Sequence, residues 1–201
     1  MNNWLKDITL EGDLIRLIPL NKQHKQDLIK AASDGELWNL WYTSIPCEKT
    51  IDEYIDFALS ENIKSKAHAF AVIDKSTDKI IGSTRYCNAT NNNRIEIGYT
   101  WYAKSTQRTG INTECKYLLL KYAFEQLNCI AVEFRTNWHN HPSRNAITRL
   151  GAKQDGVLRN HLIDSEGIYR DTVVFSITDQ EWRTVKKSLL FKMKNMKGIH
   201  L

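Results

Sequence analysis

The segment Gln107-Arg108-Thr109-Gly110-Ile111-Asn112 lies between a run that alternates like a strand and a run with helical apolar spacing. A loop that feeds a helix start presents main-chain N–H groups outside the helix ladder and a partial positive charge. Gly110 lets the main chain pass close to a phosphate, and Arg108 adds a mobile cation. The chemistry this offers is anion binding; one glycine alone is equally compatible with an ordinary helix start. Metal chemistry has less support. The cysteines Cys47, Cys87, Cys115 and Cys129 have no CxxC spacing and read as reduced, partly buried thiols. His139 and His141 have no acidic or cysteine cluster beside them, so no metal site is expected.

The elements around the loop follow from the apolar period. Leu14–Leu20 is a short apolar strand, and 21–33 and 51–63 have helical spacing, with Thr50 as a candidate N-cap of the second. The period then changes to two. Residues 69–74, 80–89 and 94–103 read as an antiparallel meander, turning at 75–79 and at Asn91-Asn92-Asn93. In the third strand Ile95, Ile97, Tyr99 and Trp101 are expected on one face, and Glu96, Gly98 and Thr100 on the other. A helix follows from near Asn112, with Cys115, Leu118, Leu119, Tyr122 and Ala123 as its apolar stripe, then a strand at 131–137. Strand, helix, strand implies a parallel crossover. Pro142 starts another helix and Gly151 ends it. Strands near 153–163 and 168–178 enclose Gly167 in a hairpin, and Thr178 with Glu181 opens a last helix. The fold class is α+β, a mixed, mostly antiparallel sheet of about seven strands with flanking helices.

With 201 residues, 42% hydrophobic and 25% charged, the chain reads as a single folded domain over 1–201. No apolar run reaches the ~20 residues of a membrane span. The start shows no leader pattern, so a cytoplasmic location is expected. The net charge is +5, and the helix at about 179–197 carries most of it, through Arg183, Lys186, Lys187, Lys192, Lys194 and Lys197 against Asp179 and Glu181. Charge held on one terminal amphipathic helix reads as a solvated face, with nucleic acid an unlikely partner.

The loop pattern Q-x-x-G-x-(G/A), written here Gln107 to Asn112, resembles the acetyl-coenzyme A pyrophosphate loop of the GNAT N-acetyltransferases. The element order is similar along nearly the whole chain. The stretch NHPSRNAITRLGA resembles the second cofactor helix, and GVLRNHLIDSEGIYRDTVVFSITDQEW resembles the branch related to RimL and RimJ, which acetylate ribosomal-protein N-termini. Asn112 departs from the usual Gly or Ala. Ile147 stands where many members carry a general-acid Tyr, while Ser143 matches the serine used in the RimL-like branch.

The resemblance implies acetyl-CoA as co-substrate and an amine acceptor, with no metal. It implies cofactor contacts from Gln107, Arg108, Thr109, Gly110, Ile111, Asn112 and Thr113, from the main chain near Trp101 and Tyr102, and from Asn140. Ser143 is the candidate at the thiol end, or a helix-cap residue. Glu96 is the candidate base, directly or through water, or else a structural carboxylate paired with Arg85 or Arg94. Trp38, Trp41 and Tyr42 fall where the family shapes its acceptor pocket, though such a cluster also serves core packing. Arg159, Arg170 and Asp171 read as an ion-pair set holding the final hairpin. An α-amine of pKa ~8 is about one-tenth free base at pH 7, against about one part in 2,500 for a lysine of pKa ~10.4. A site with one carboxylate base therefore suits a peptide N-terminus or a weakly basic small amine. Two further readings remain open: an acyl-CoA-binding module without turnover, and an RNA binder using the basic helix. Monomer and homodimer are both compatible with the sequence.

Overall fold

The computed structural model describes residues 7–64, 66–90, 92–164 and 166–197. Its elements are β1 (Leu10–Glu11), β2 (Ile15–Pro19), α1 (Lys25–Ser33), α2 (Ile51–Ile63), β3 (His68–Asp74), β4 (Lys79–Cys87), β5 (Arg94–Tyr102), α3 (Ile111–Glu125), β6 (Ala131–Asn137), α4 (His141–Leu150), β7 (Lys153–Ile163), β8 (Tyr169–Thr178) and α5 (Asp179–Lys197). They match the expected order, with one addition. The two-residue strand β1 is too short for periodicity to reveal, and it pairs Leu10 with Leu17 and Glu11 with Arg16.

One eight-stranded sheet runs β1-β2-β3-β4-β5-β6-β8-β7. All its pairings are antiparallel except β5 with β6, which α3 joins as a crossover. One face carries the larger core, where Ile95, Ile97 and Tyr102 of β5 pack with Cys115, Leu119 and Leu120 of α3 and with Trp182, Val185 and Leu189 of α5. The other face carries Leu28 and Ala32 of α1, Ile51 and Ile55 of α2, and Trp101.

Local sequence accounts for most element ends. Gly151 closes α4 at φ 108, and Asn140 caps its start by accepting a hydrogen bond from the Ser143 N–H at 3.0 Å. The Thr178 N–H donates to the Glu181 carboxylate at 3.0 Å, half of a capping box. Thr50 is the N-cap of α2 by position, but its hydroxyl makes no cap bond and accepts instead from the Cys47 N–H at 3.0 Å. Asn93, at the end of the second turn of the meander, takes φ 54; Asn91 lies outside the described residues. Lys186 pairs with Glu125 at 2.7 Å, and Lys192 donates to the Arg149 carbonyl at 2.5 Å at the end of α4. Part of the basic helix is thus engaged by the fold; the Lys197 side chain lies outside the described residues.

The strict alternation expected along β5 does not hold. Ser83 pairs with Trp101 but Arg85 pairs with Gly98, so β5 carries one extra residue in a bulge. Tyr99 sits there in the left-handed region at φ 50. Beyond the bulge the faces exchange. Tyr102 joins Ile95 and Ile97 on the α3 face, while Trp101 packs on the opposite face. Tyr99 is exposed at 47% instead of joining the core.

Candidate active site

β5 and β6 pair over three residues each, Arg94–Glu96 with Ala131–Glu133. Past this seam, Ile97–Tyr102 and Phe134–Asn137 run on without pairing to each other, so the sheet opens into a cleft. Main-chain groups of β5 that face the cleft have no β6 partner there, and the bulge turns the strand at that point.

At the mouth of the cleft the expected loop leads into α3. A short turn at Lys104–Thr106 precedes it, and Arg108 and Gly110 take φ 65 and φ 93. Gly110 is the N-cap and has no side chain to satisfy the first-turn donors; the Glu114 N–H makes the bond to the Gly110 carbonyl. The N–H groups of Ile111, Asn112 and Thr113, with no side-chain cap, could receive an anion. The loop side chains divide. Arg108 is exposed, whereas Gln107 donates to the Tyr102 carbonyl at 3.0 Å and the Thr109 hydroxyl to the Thr106 carbonyl at 2.6 Å. The latter two brace the loop internally. Ile111 and Thr113 are buried and offer main chain only.

Below the loop, Glu114 is 5% exposed and accepts from the N–H groups of Asp13, Leu14 and Ile15 at 2.8 to 3.0 Å. It anchors the turn after β1 to α3. Lys116 is also buried, with its ammonium on the Thr100 hydroxyl, which in turn meets the Thr84 hydroxyl at 2.7 Å. Its Nζ is 6.0 Å from the Phe134 ring of β6. This chain links α3 to the β5 bulge. Burial lowers the Lys116 pKa from 10.5 to about 8, against the opposing pull of the Cys115 and Cys87 sulfurs.

Glu96 is 8% exposed and lies on the face away from Ile95 and Ile97, as its alternation requires. Its partners differ from those expected. Arg94 pairs with Glu133 at 2.7 Å, while Glu96 accepts from the Asn88 amide at 2.7 Å and stands 3.5 Å from the Arg135 guanidinium. Burial raises its pKa, and the Asn88 hydrogen bond and the Arg135 charge oppose that rise. A carboxylate moved toward neutrality is better matched to proton transfer than one held in a salt bridge. Gly98 supports the arrangement, because a Cβ there would stand 3.0 Å from a Glu96 carboxylate oxygen.

Ser143 is half-buried in the first turn of α4, with Asn140 as the cap. The capping function therefore rests on the Asn140 side-chain oxygen, not on the Ser143 hydroxyl, and the Asn140 amide nitrogen remains for other partners. Ile147 is buried in the core. At the end of β6, Asn137 accepts from the His139 N–H at 2.9 Å, and its buried amide nitrogen has no partner among the described residues.

The three aromatic residues do not form one cluster. Trp38 packs against the α1–α2 core, while Trp41, 66% exposed, meets Tyr42 at 5.7 Å and His139 at 5.6 Å between ring centroids. Trp41 thus reaches the turn just after β6, with Tyr42 against it. Trp101 donates its indole N–H to the Tyr54 hydroxyl at 3.3 Å. In the hairpin, Arg159 pairs with Asp171 at 2.5 Å as expected, but Arg170 takes no acid and donates to the Tyr42 carbonyl at 3.5 Å. Missed by sequence reasoning were Asn88, Lys116, Arg135 and the environment of Arg85. The available signals were a cation inside the otherwise uncharged run IIGSTRYC and a lysine beside Cys115 on the helix stripe.

Among the described residues no group of three or more His, Cys, Asp or Glu is placed to hold a metal ion, and no helix is long and apolar enough to cross a membrane.

Comparison with known proteins gives this geometry a family. The chain is 35% identical over 95 residues to the candidate ribosomal N-acetyltransferase YdaF of Bacillus subtilis (strain 168), covering 47% of this chain and about half of YdaF, 51%. A crystal structure of a GCN5-related N-acetyltransferase from Brucella melitensis superposes with a TM-score of 0.84 at 30% identity, over 94% of this chain and 86% of that one. Mycobacterium smegmatis RimJ, solved in complex with CoA-disulfide, shares the fold with a TM-score of 0.77 at 19% identity, over 92% and 95% of the two chains. The acetyltransferase (GNAT) domain family matches residues 15–153, and it includes the split between β5 and β6 and the loop before α3. The chain belongs to the GNAT acetyltransferases and is an acyltransferase.

Proposed function

We propose that this chain, acting as one domain, transfers an acetyl group from acetyl-CoA to a primary amine within a ternary complex, with a peptide N-terminal α-amine as the preferred acceptor. The observation that carries this reading is the meeting of three features in one place. These are an uncapped α3 start behind the Gly110 turn, the unpaired β5 main chain beyond the seam, and a buried carboxylate, Glu96, beside the bulge. The YdaF name and the closing motifs around Asn140 and Asp171 support the RimJ/RimL-like branch.

The chain fits the co-substrate at its phosphate end and along its arm. The N–H groups from Gly110 to Thr113 and the exposed Arg108 would hold the pyrophosphate. Main chain near Trp101 and Tyr102, with the Asn140 and Asn137 amides, would hold the amide-bearing arm. Acetyl-CoA supplies an activated acyl thioester and a thiol leaving group. Glu96 takes the proton that the amine loses, directly or through water. The Ser143 hydroxyl gives a hydrogen bond at the sulfur end. Trp41, beside His139, and Tyr42, packed against Trp41, wall the acceptor side.

Thiol release from acetyl-CoA with a panel of amines tests the reading. Peptides starting with Ala, Ser or Met should turn over, and lysine side chains of blocked peptides should turn over much more slowly. A thermal shift with acetyl-CoA but no thiol release with any amine would instead identify a binding module.

A further inference from the structure

We propose that Arg85 is a specificity-determining residue of the acceptor site, receiving a carboxylate carried by the amine substrate. The inference rests on the acetyltransferase reading and gives its acceptor a chemical class. Arg85 is 1% exposed, yet none of its three guanidinium nitrogens has a hydrogen-bond partner among the described residues. Aromatic rings enclose it instead, with its central carbon 4.0 Å from the Tyr99 centroid, 4.8 Å from Tyr54 and 5.7 Å from Phe57. Rings attract a cation through their faces, but they leave the five N–H donors along the guanidinium edge without acceptors. A buried charge in that condition calls for an anion.

The neighbouring acids are engaged elsewhere. Glu61 on α2 pairs with Lys64 at 2.8 Å, and Glu96 is held by Asn88 and faces Arg135. The walls of the cage suit admission of a ligand. Phe57 and Tyr99 are 49% and 47% exposed, with ring centroids 6.3 Å apart, so two aromatic side chains stand between solvent and the cation. Position completes the case. Arg85 pairs with Gly98, and the next pair on that face is Cys87 with Glu96. Two strand residues span about 7 Å. An acceptor with its amine at Glu96 and a carboxylate a few bonds away meets both charges in the right order. A carboxylate is planar and matches the guanidinium fork between the rings, and its single charge suits a site so near Glu96 better than a phosphate would.

The test uses peptides of equal length with Glu or Gln at the first or second position, assayed by thiol release. The intact enzyme should favour Glu over Gln by at least about tenfold in kcat/KM, the discrimination expected of a charge-assisted hydrogen bond. Arg85→Met should bring that ratio to about one, and Arg85→Lys should leave an intermediate ratio. A readout independent of variant folding is the Arg85 Nε–H resonance of the unmutated protein, which should shift with the Glu peptides and not with the Gln peptides. Equal rates for Glu and Gln in the intact enzyme overturn the proposal while leaving the acetyltransferase reading in place. A preference that survives Arg85→Met, or an unmoved resonance, overturns it too. Thiol release with none of the peptides overturns this proposal and the peptide-acceptor reading together.

Discussion

Lys116 offers the sharpest stability test, because a single buried ammonium can be removed without touching the cleft main chain. Its only hydrogen bond among the described residues is to Thr100, and burial brings its pKa from 10.5 to about 8. In this interval the unfolded chain binds a proton that the folded one has released. Stability attributable to Lys116 therefore rises as pH climbs from about 8 to 10.5. At about 1.4 kcal/mol per pKa unit, the charged form costs the fold roughly 3 kcal/mol below pH 8. Lys116→Met, of similar length and without charge, should relieve most of that cost, less about 1 kcal/mol for the lost hydrogen bond. Urea unfolding across a pH series measures it. Near neutral pH the variant should be more stable by roughly 2 kcal/mol, and the gap should close toward pH 10. Taking the difference between the two proteins removes the burial effect on the Cys87 and Cys115 thiols, which holds both above their ordinary range, and leaves only their coupling to the Lys116 charge. A difference that stays constant from neutral pH to pH 10, or a variant less stable at every pH, would refute the reasoning.

Glu96→Gln should lower turnover by about a hundredfold near neutral pH, with the deficit shrinking as pH approaches the acceptor's own pKa; a loss independent of pH marks a structural carboxylate. Gly110→Ala should cost about 1–2 kcal/mol for a left-handed residue, read by thermal unfolding, while Gly110→Asp should also weaken CoA binding by calorimetry by at least about tenfold more than Ala. At Gly82 an added Cβ would fall 2.1 Å from the Trp101 carbonyl oxygen and 2.9 Å from the Tyr102 Cα. Gly82→Ala must push main chain aside, so it should destabilise by about 1–3 kcal/mol and reduce cofactor affinity by displacing the cleft edge.

What could be read from the sequence was whatever local period and turn chemistry decide. The alternation of Ile95 and Ile97, the helical spacing of Cys115 and Leu119, and the Asn140–Gly151 bracket of α4 all name their elements. The Glu96 face was legible for the same reason. The bulge at Tyr99 was not, because an inserted residue leaves composition and alternation almost intact and shows only in the pairing with β4. Trp101 and Tyr102 consequently exchanged faces. Tertiary neighbours were hidden as well. Arg94 and Arg135 both reach Glu133 at the β5–β6 seam, at 2.7 and 3.0 Å, and only the fold shows that Arg135 also stands 3.5 Å from Glu96. Trp38 and Trp41 are three apart in a segment with little regular structure, so spacing could not show that one packs inward and the other reaches His139.

The short seam between β5 and β6 also has a mechanical meaning. Strands β1 to β5 form one antiparallel ribbon and β6 to β8 another, stitched by pairing over Arg94–Glu96 and Ala131–Glu133. Such a joint resists sliding far better than it resists opening, since few main-chain bonds oppose rotation about it. Stiffness must come from the crossover helix beneath, through Leu119 and Leu120 and the Lys116–Thr100–Thr84 bridge. The breadth of the cleft is thereby decoupled from strand pairing: substitutions on the sheet-facing side of α3 can widen or narrow it while both ribbons keep their ladders. Amide exchange should slow at the Ile97 to Tyr102 edge when acetyl-CoA is added, with the β2–β3 ladder unaffected.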